Sequence, residues 1–323
     1  MRPVAVSLLA CVFLSGCTSS STVSDLAPRP SAETTSSIAR PSAPIADDAG
    51  YANAGDTGLS LAEEQAADIG GEVETAAFVA PDKPSAATRA YAGQLHRQRF
   101  RDAKPINFGK AAPQKLAVHG VDVSRWQGEI NWATLRAQGA NFVYIKATDG
   151  GDHLDPMFRQ NWRAAHEAGL KRGAYHFFYW CRVASQQADW FIRNVPKVKG
   201  ALPPVIDVEW NHLSSCKKRP SRAVVLEKMK VFMERLEAHY GQRPIIYTAP
   251  DFYADNLRGE FKDYPFWLRS VAAHPSKRYP GRDWLFWQYS GSGLSQGVNG
   301  HIDLNVFHGS EGEWRKWVGR VTG

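Results

Sequence analysis

The chain has 323 residues, 43% of them hydrophobic and 11% aromatic, which is material for one domain with a sizeable core. Charge is divided unevenly: residues 18–90 hold 11 acidic against 4 basic side chains, whereas residues 91–323 carry a net of +13. A basic body on an acidic leader excludes a uniformly acidic, self-solvating chain and points to an anionic partner, and the lack of any nucleic-acid-binding motif sets nucleic acid aside.

The start reads as an export signal. Arg2 precedes the apolar run VAVSLLACVFL, too short to span a bilayer as a mature helix, and LSGC follows at 14–17. These four residues resemble a bacterial lipobox, in which Cys17 is lipidated and residues 1–17 are the signal peptide. The small residues Ser15 and Gly16 directly before the cysteine favour this over a plain secretory signal. Thr18, where an aspartate often retains lipoproteins in the inner membrane, favours an outer-membrane anchor facing the periplasm. Residues 18–113 are rich in Ala, Ser, Thr, Pro and Gly, and read as a low-complexity, disordered tether. Within them the basic stretch 91–104 lies either on the domain or on a polyanion. For an exported chain, that polyanion is wall polymer or membrane headgroups.

From residue 114 onward strands alternate with helices. LAVHGVDVSRW (116–126) is strand-like, and NWATLRAQG (131–139) is helical with a terminal glycine. NFVYIKAT (141–148) is the second strand. DPMFRQNWRAAHEAG (155–169) is a helix with Asp155 as N-cap, Pro156 in the first turn and Gly169 as its stop. KRGAYHFFYW (171–180) returns to strand, and SQQADWFIRNV (185–195) to helix. PPVIDVEW (203–210) gives the fourth strand. A long helix then spans 221–241 between Ser221 and Gly241, with Val225, Met229, Phe232, Met233 and Leu236 as its core stripe. RPIIYTA, PFWLRSV, WLFWQYS and HIDLNVF are strands five to eight, with only the short FYADNL helix after strand five and nothing helical between the last three. The fold class is therefore α/β: an irregular (β/α) barrel with eight strands and fewer than eight helices, here 114–323. The alternative, an open doubly wound sheet, lacks its Gly-rich phosphate loop after the first strand.

The fourth strand carries the chemistry. Residues i and i+2 of a strand share a face, so Val205, Asp207 and Glu209 point one way and Ile206 and Val208 the other. The outer face of a barrel strand meets helices, so the acids face the axis, near the C-terminal end where such barrels keep their chemistry. Asp122 with Ser124, and Asp303 with Asn305, repeat the pattern in strands one and eight, and barrel closure would set Asp303 beside Asp122. Four carboxylates in one bowl are costly unless hydrogen-bonded, protonated or bound to metal. Carboxylates alone suit calcium or magnesium, whereas His119, His176 and His301 lack zinc-ligand spacing and His176 is expected to pack among aromatics. No metal or other cofactor is expected. Paired carboxylates suit glycoside hydrolysis: one donates a proton to the departing sugar oxygen while the other stays ionised. The longer Glu209 is the choice for acid/base, with a bell-shaped pH–rate profile.

GVDVSRWQGEINW (120–132), VYIKATDG (143–150), GAYHFFY (173–179), PPVIDVEW (203–210), PIIYT (244–248), FWQYS (286–290) and GHIDLNVF (300–307) together resemble glycoside hydrolase family 25, the N-acetylmuramidase type of lysozyme. The resemblance covers about 117–317, with the motifs in the family's order. It implies cleavage of the β-1,4 bond from N-acetylmuramic acid to N-acetylglucosamine in peptidoglycan. It makes Glu209 the acid/base and Asp207 the residue that assists the substrate's own N-acetyl group. Asp122 and Asp303 match the remaining pocket acids, and Tyr175, Trp287 and Gln288 fall in motifs that line the groove. The chain departs from the family at Asp149, where the usual turn reads ATEG, at Arg269, where a small residue is common, and in the basic loop 211–222. Cys181 and Cys216 follow strands three and four at one barrel end, and in an oxidising compartment a disulfide is expected. The alternative to an enzyme is a non-catalytic peptidoglycan-binding lipoprotein anchor. A chitinase-like reading is set aside because Leu202 and Val205 stand where that family has further aspartates. A monomer, bound to membrane through its lipid, completes the expectation.

Overall fold

The computed structural model describes residues 93–211 and 216–323. The signal segment, Cys17 and tether residues 18–92 lie outside the described residues, as do loop residues 212–215. Eight strands form the barrel: β1 (His119–Val123), β2 (Phe142–Asp149), β3 (Lys171–Phe177), β4 (Val205–Val208), β5 (Ile245–Thr248), β6 (Phe266–Arg269), β7 (Phe286–Leu294) and β8 (Ile302–Phe307). Each pairs with the next, and β8 pairs with β1, so the ring closes.

Strands β1 to β7 run parallel, but β8 is antiparallel to both β7 and β1. The short connection from β7 to β8 carries no helix, so the chain turns straight back rather than crossing over. The rhythm of the sequence does not reveal this reversal. Its effect on the mouth is direct: Asp303 stands at the start of β8, yet reaches the same rim as the ends of the parallel strands.

Helices α1 (Trp132–Ala137), α2 (Phe158–Glu167), α3 (Ala184–Asn194) and α4 (Arg222–Tyr240) separate the first five strands. After β5, α5 (Pro250–Phe252) runs into a π-helical turn, Tyr253–Leu257. A four-residue helix, α6 (Pro275–Arg278), lies between β6 and β7, where the sequence reading expects none; the His274 side chain accepts from the Ser276 N–H and Pro275 sets its first turn. A last helix, α7 (Glu311–Thr322), opens with a Ser310/Glu313 capping box. Two expected caps differ. Asp155 accepts from the N–H groups of Met157 and Arg125, ahead of α2, which starts only at Phe158. Ser221 takes the N-cap position of α4 without a side-chain cap bond, while Gly241 ends that helix in the left-handed conformation with φ 69°.

Strand alternation sorts the apolar residues into two cores. Ile206, Val208, Ile246 and Leu268 face outward and meet the α4 stripe of Val225, Met229, Phe232, Met233 and Leu236. His176 belongs to this layer, stacked on Phe232 with ring centroids 4.9 Å apart, as its sequence context implies. Val205, Ile245, Phe142, Tyr144, Trp267 and Phe286 fill the lumen. Trp314 and Trp317 of α7 join this second core, with Trp314 5.4 Å from Phe142 and Trp317 5.5 Å from Phe286. The lumen is thus packed below, and open chemistry is confined to the other end.

Residues 93–104 lie on the domain, the first of the two placements open to them. A two-residue strand, Arg101–Asp102, extends the β7 edge, Arg136 donates to the Gln94 carbonyl, and the Asn141 amide bridges to His96. Phe108 meets Trp287 edge-on at 5.0 Å. No helix among the described residues is long and apolar enough to cross a membrane.

Gly120 on β1 lies close against the first residue of β2 in the packed part of the barrel. A Cβ there would sit 2.5 Å from the Phe142 carbonyl oxygen and 2.6 Å from its ring. Gly120→Ala is expected to destabilise the barrel by about 1–3 kcal/mol, the usual cost of overpacking, read as a lowered denaturation midpoint.

Candidate active site

The β4 ladder sets the first pair of acids. Asp207 is in register with Phe177 of β3 and Tyr247 of β5, and Glu209 stands one residue beyond the strand. Their backbone is held by the segment that follows β3. Phe178 N–H donates to the Asp207 carbonyl at 3.0 Å, and Trp180 Nε1–H donates to the Glu209 carbonyl at 2.9 Å. Both side chains are buried. Trp210, of opposite parity, turns outward and donates its Nε1–H to Asp255 at 2.7 Å. The sequence run therefore becomes acid in, aromatic out, as parity requires.

The second pair comes from the closing seam. Asp303 and Asp122 are direct partners across the antiparallel β8–β1 ladder, with side chains hydrogen-bonded to one another. Asp122 Oδ1 also accepts from Asn305 Nδ2 at 2.7 Å and from Gln288 Nε2 at 2.9 Å. Behind these, Trp267 Nε1–H donates to Asn305 at 2.8 Å, and the Tyr247 hydroxyl donates to Gln288 Oε1 at 2.8 Å. Each amide is thus oriented by a second partner, which fixes its NH₂ toward Asp122. Burial pushes the Asp122 carboxyl up from 3.8 to about 6, against the downward pull of the Asn305, Gln288 and Asp303 hydrogen bonds and of the Arg269 charge.

The two pairs meet over two tyrosines. The Tyr175 hydroxyl is raised well above 10 chiefly by burial, and also by the charges of Asp122, Asp207, Asp155 and Asp303. Tyr247 is raised by burial and by Glu209, Asp207 and Asp122, with Arg269 opposing. Asp122, Asp207, Glu209, Asp303, Tyr175 and Gln288 are therefore one group at one barrel end.

Trp287 does not belong to it. As the neighbour of Gln288 it points to the opposite face, is 0% exposed, packs against Phe108, Trp284 and His274, and donates its Nε1–H to the Ser270 carbonyl. Its placement in the groove is corrected: no ring face is left for a sugar. Asn305, Tyr247 and Trp267 are site residues that the sequence reading does not name as such: parity with Asp303 carries the signal for Asn305 and parity with Arg269 that for Trp267, whereas Tyr247 joins Asp207 only through the β4–β5 register. Asp149, at the altered turn, accepts an ion pair from Lys146 at 2.6 Å, both buried, with the ammonium 5.2 Å from the Phe177 ring centroid. The expected disulfide joins Cys181 to Cys216, with Cα atoms 5.6 Å apart, and ties the segments that follow β3 and β4.

Comparison with known proteins agrees with this geometry. The family model described as Glycosyl hydrolases family 25 matches residues 121–298. Uncharacterized protein YegX of Escherichia coli (strain K12) is 38% identical over 232 residues, covering 69% of this chain and 81% of that protein. Lysozyme M1 of Streptomyces globisporus is 35% identical over 204 residues, covering 60% and 68%. Among solved structures, a family 25 glycosyl hydrolase from Bacillus anthracis superposes with a TM-score of 0.58 at 40% identity, covering 62% of this chain and 94% of that one. The bacterial lysozyme from Streptomyces coelicolor gives 0.56 at 33% identity, covering 64% and 97%. A match over more than half of the chain, on a barrel whose mouth gathers four carboxylates, establishes that the chain belongs to glycosyl hydrolases family 25 and is a glycoside hydrolase.

Proposed function

We propose that the chain hydrolyses peptidoglycan at the β-1,4 bond between N-acetylmuramic acid and N-acetylglucosamine. The observation that carries this reading is the Asp207/Glu209 pair, buried side by side on the lumen face of one strand end in a family 25 barrel. Relatives named Lysozyme M1 and N,O-diacetylmuramidase support the substrate class; the latter, from Chalaropsis sp, is 30% identical over 203 residues and matched over 96% of its length.

In this scheme Glu209 holds the proton that passes to the departing sugar oxygen. Asp207 accepts from the N–H of the substrate's N-acetyl group and turns its carbonyl oxygen toward the anomeric carbon. That oxygen attacks, and Glu209 then takes a proton from the water that opens the resulting ring. Asp122 and Asp303, with Tyr175 and Gln288, hold the sugar in the mouth. The protein acts as an exported monomer, held to the membrane through a lipid on Cys17, with residues 18–92 as the reach between anchor and wall.

Product analysis tests the reaction. Purified peptidoglycan treated with the protein should release fragments with new reducing ends on muramic acid. Retention on the wall without any release would replace the enzyme by the glycan-binding anchor. Mass spectrometry of the mature N-terminus tests the anchor separately, with diacylglyceryl mass on Cys17 expected.

A further inference from the structure

Arg269 is a charged group at the mouth to which the scheme above gives no task. It ends β6, shares the lumen face with Trp267, and is only 4% exposed. Across the β6–β7 ladder it is in register with Gln288. Gln288 links the Tyr247 hydroxyl to the Asp122 carboxylate, and the Arg269 charge bears on both ends of that chain, favouring the ionised form of each.

The geometry points to Arg269 as a positioning residue for catalysis: its guanidinium fixes the Tyr247–Gln288–Asp122 chain and supplies the positive charge against which Asp122 stands ionised, so that the proton used in the reaction resides on Glu209. The inference rests on the reading of Glu209 as acid/base. The physical need is plain. Asp122 faces Asp303 across the seam and Asp207 and Glu209 across the lumen, with Tyr175 on β3 and Tyr247 on β5 closing the ring. Burial favours the neutral form of Asp122 and of both tyrosines, and the surrounding carboxylates raise the tyrosines further. Lys146 of β2, the other buried cation near the mouth, is committed to Asp149. Without Arg269, Asp122 would keep a proton to higher pH and the chain through Gln288 would lose its anchor.

The test is the pH–rate profile of Arg269→Ala and Arg269→Lys on soluble glycan strands. For Arg269→Ala the acidic limb of kcat should move up by about one pH unit, the low end for losing a nearby opposite charge, and kcat near pH 6 should fall roughly fivefold with KM within about threefold. Arg269→Lys should return most of the limb, because charge is kept although the planar fork is lost. An unmoved limb with a uniform loss, or a raised KM with kcat unchanged, overturns the inference. Arg269→Met keeps the stem volume if the alanine variant does not fold. Should the wild type cleave no glycan, the proposed function fails by itself, and carbon-13 NMR of the Asp122 carboxyl decides the inference: its midpoint, near 6 in the wild type, should rise by about one unit in Arg269→Met, and an unmoved midpoint rejects it.

Discussion

Glu209→Gln should leave the barrel folded and slow glycan cleavage by about 10²–10⁴-fold, the range that general acid–base groups contribute. The substitution keeps the volume and planar shape of the side chain, and its backbone anchor, Trp180 Nε1–H on the Glu209 carbonyl, does not depend on the carboxyl. What it removes is the proton. An amide cannot hand one to a departing sugar oxygen, nor take one from the water that follows. The wall should still bind, because Asp122, Asp303, Tyr175 and Gln288 are untouched, so the loss should fall on kcat with KM little changed. Asp207→Asn makes the informative companion. It should lose activity too, but retain some, because the amide oxygen still accepts from an N-acetyl N–H while losing the charge that supports the developing cation. Reducing-end release from washed wall measures both. A Glu209→Gln variant with more than a tenth of wild-type turnover would remove Glu209 from its role.

Much of this site was legible because a strand has a period of two. The run from Val205 to Glu209 declares which side is lumen by placing Ile206 and Val208 against the helices. The same parity gives Asp122, Asp303 and Asn305, and ring closure then predicts the Asp122–Asp303 contact that the register bears out. The failures have equally local causes. The motif FWQYS suggests Trp287 for the groove, yet it alternates with Gln288 and must face away. The reversal of β8 left no trace in composition, because a strand buried on both faces reads alike in either direction. Helix α7 is legible after all: Trp314, Trp317, Val318 and Val321 stand at i, i+3, i+4 and i+7 behind a Ser310/Glu313 capping box, but a strand-by-strand reading stops at β8 and passes it over. Helix α6 is a single turn, too short to leave a period.

Removing the Cys181–Cys216 bond should be the most damaging change outside the mouth. The bridge closes a sequence separation of 35, for which the chain-entropy argument gives about 3–4 kcal/mol. For a domain of this size that corresponds to a fall of roughly 10 °C in melting temperature. Most of the effect acts on the unfolded chain, which loses a constraint and expands, so the denaturant slope of a Cys181→Ala/Cys216→Ala variant should steepen as its midpoint falls. A second effect is local. Cys181 directly follows Trp180, whose ring stacks on Phe252 at 4.8 Å, meets Trp210 at 6.0 Å and donates to the Glu209 carbonyl. The bridge therefore pins the strand end that carries Glu209 as well as the loop beyond it. Catalysis below the melting transition should decline severalfold through kcat in the variant, since an acid displaced by a fraction of an ångström loses alignment with its proton acceptor. Chemical reduction of the wild type should reproduce both changes and reoxidation should reverse them. Equal midpoints for oxidised and reduced protein would mean that the aromatic packing around Trp180 holds this corner without the bond.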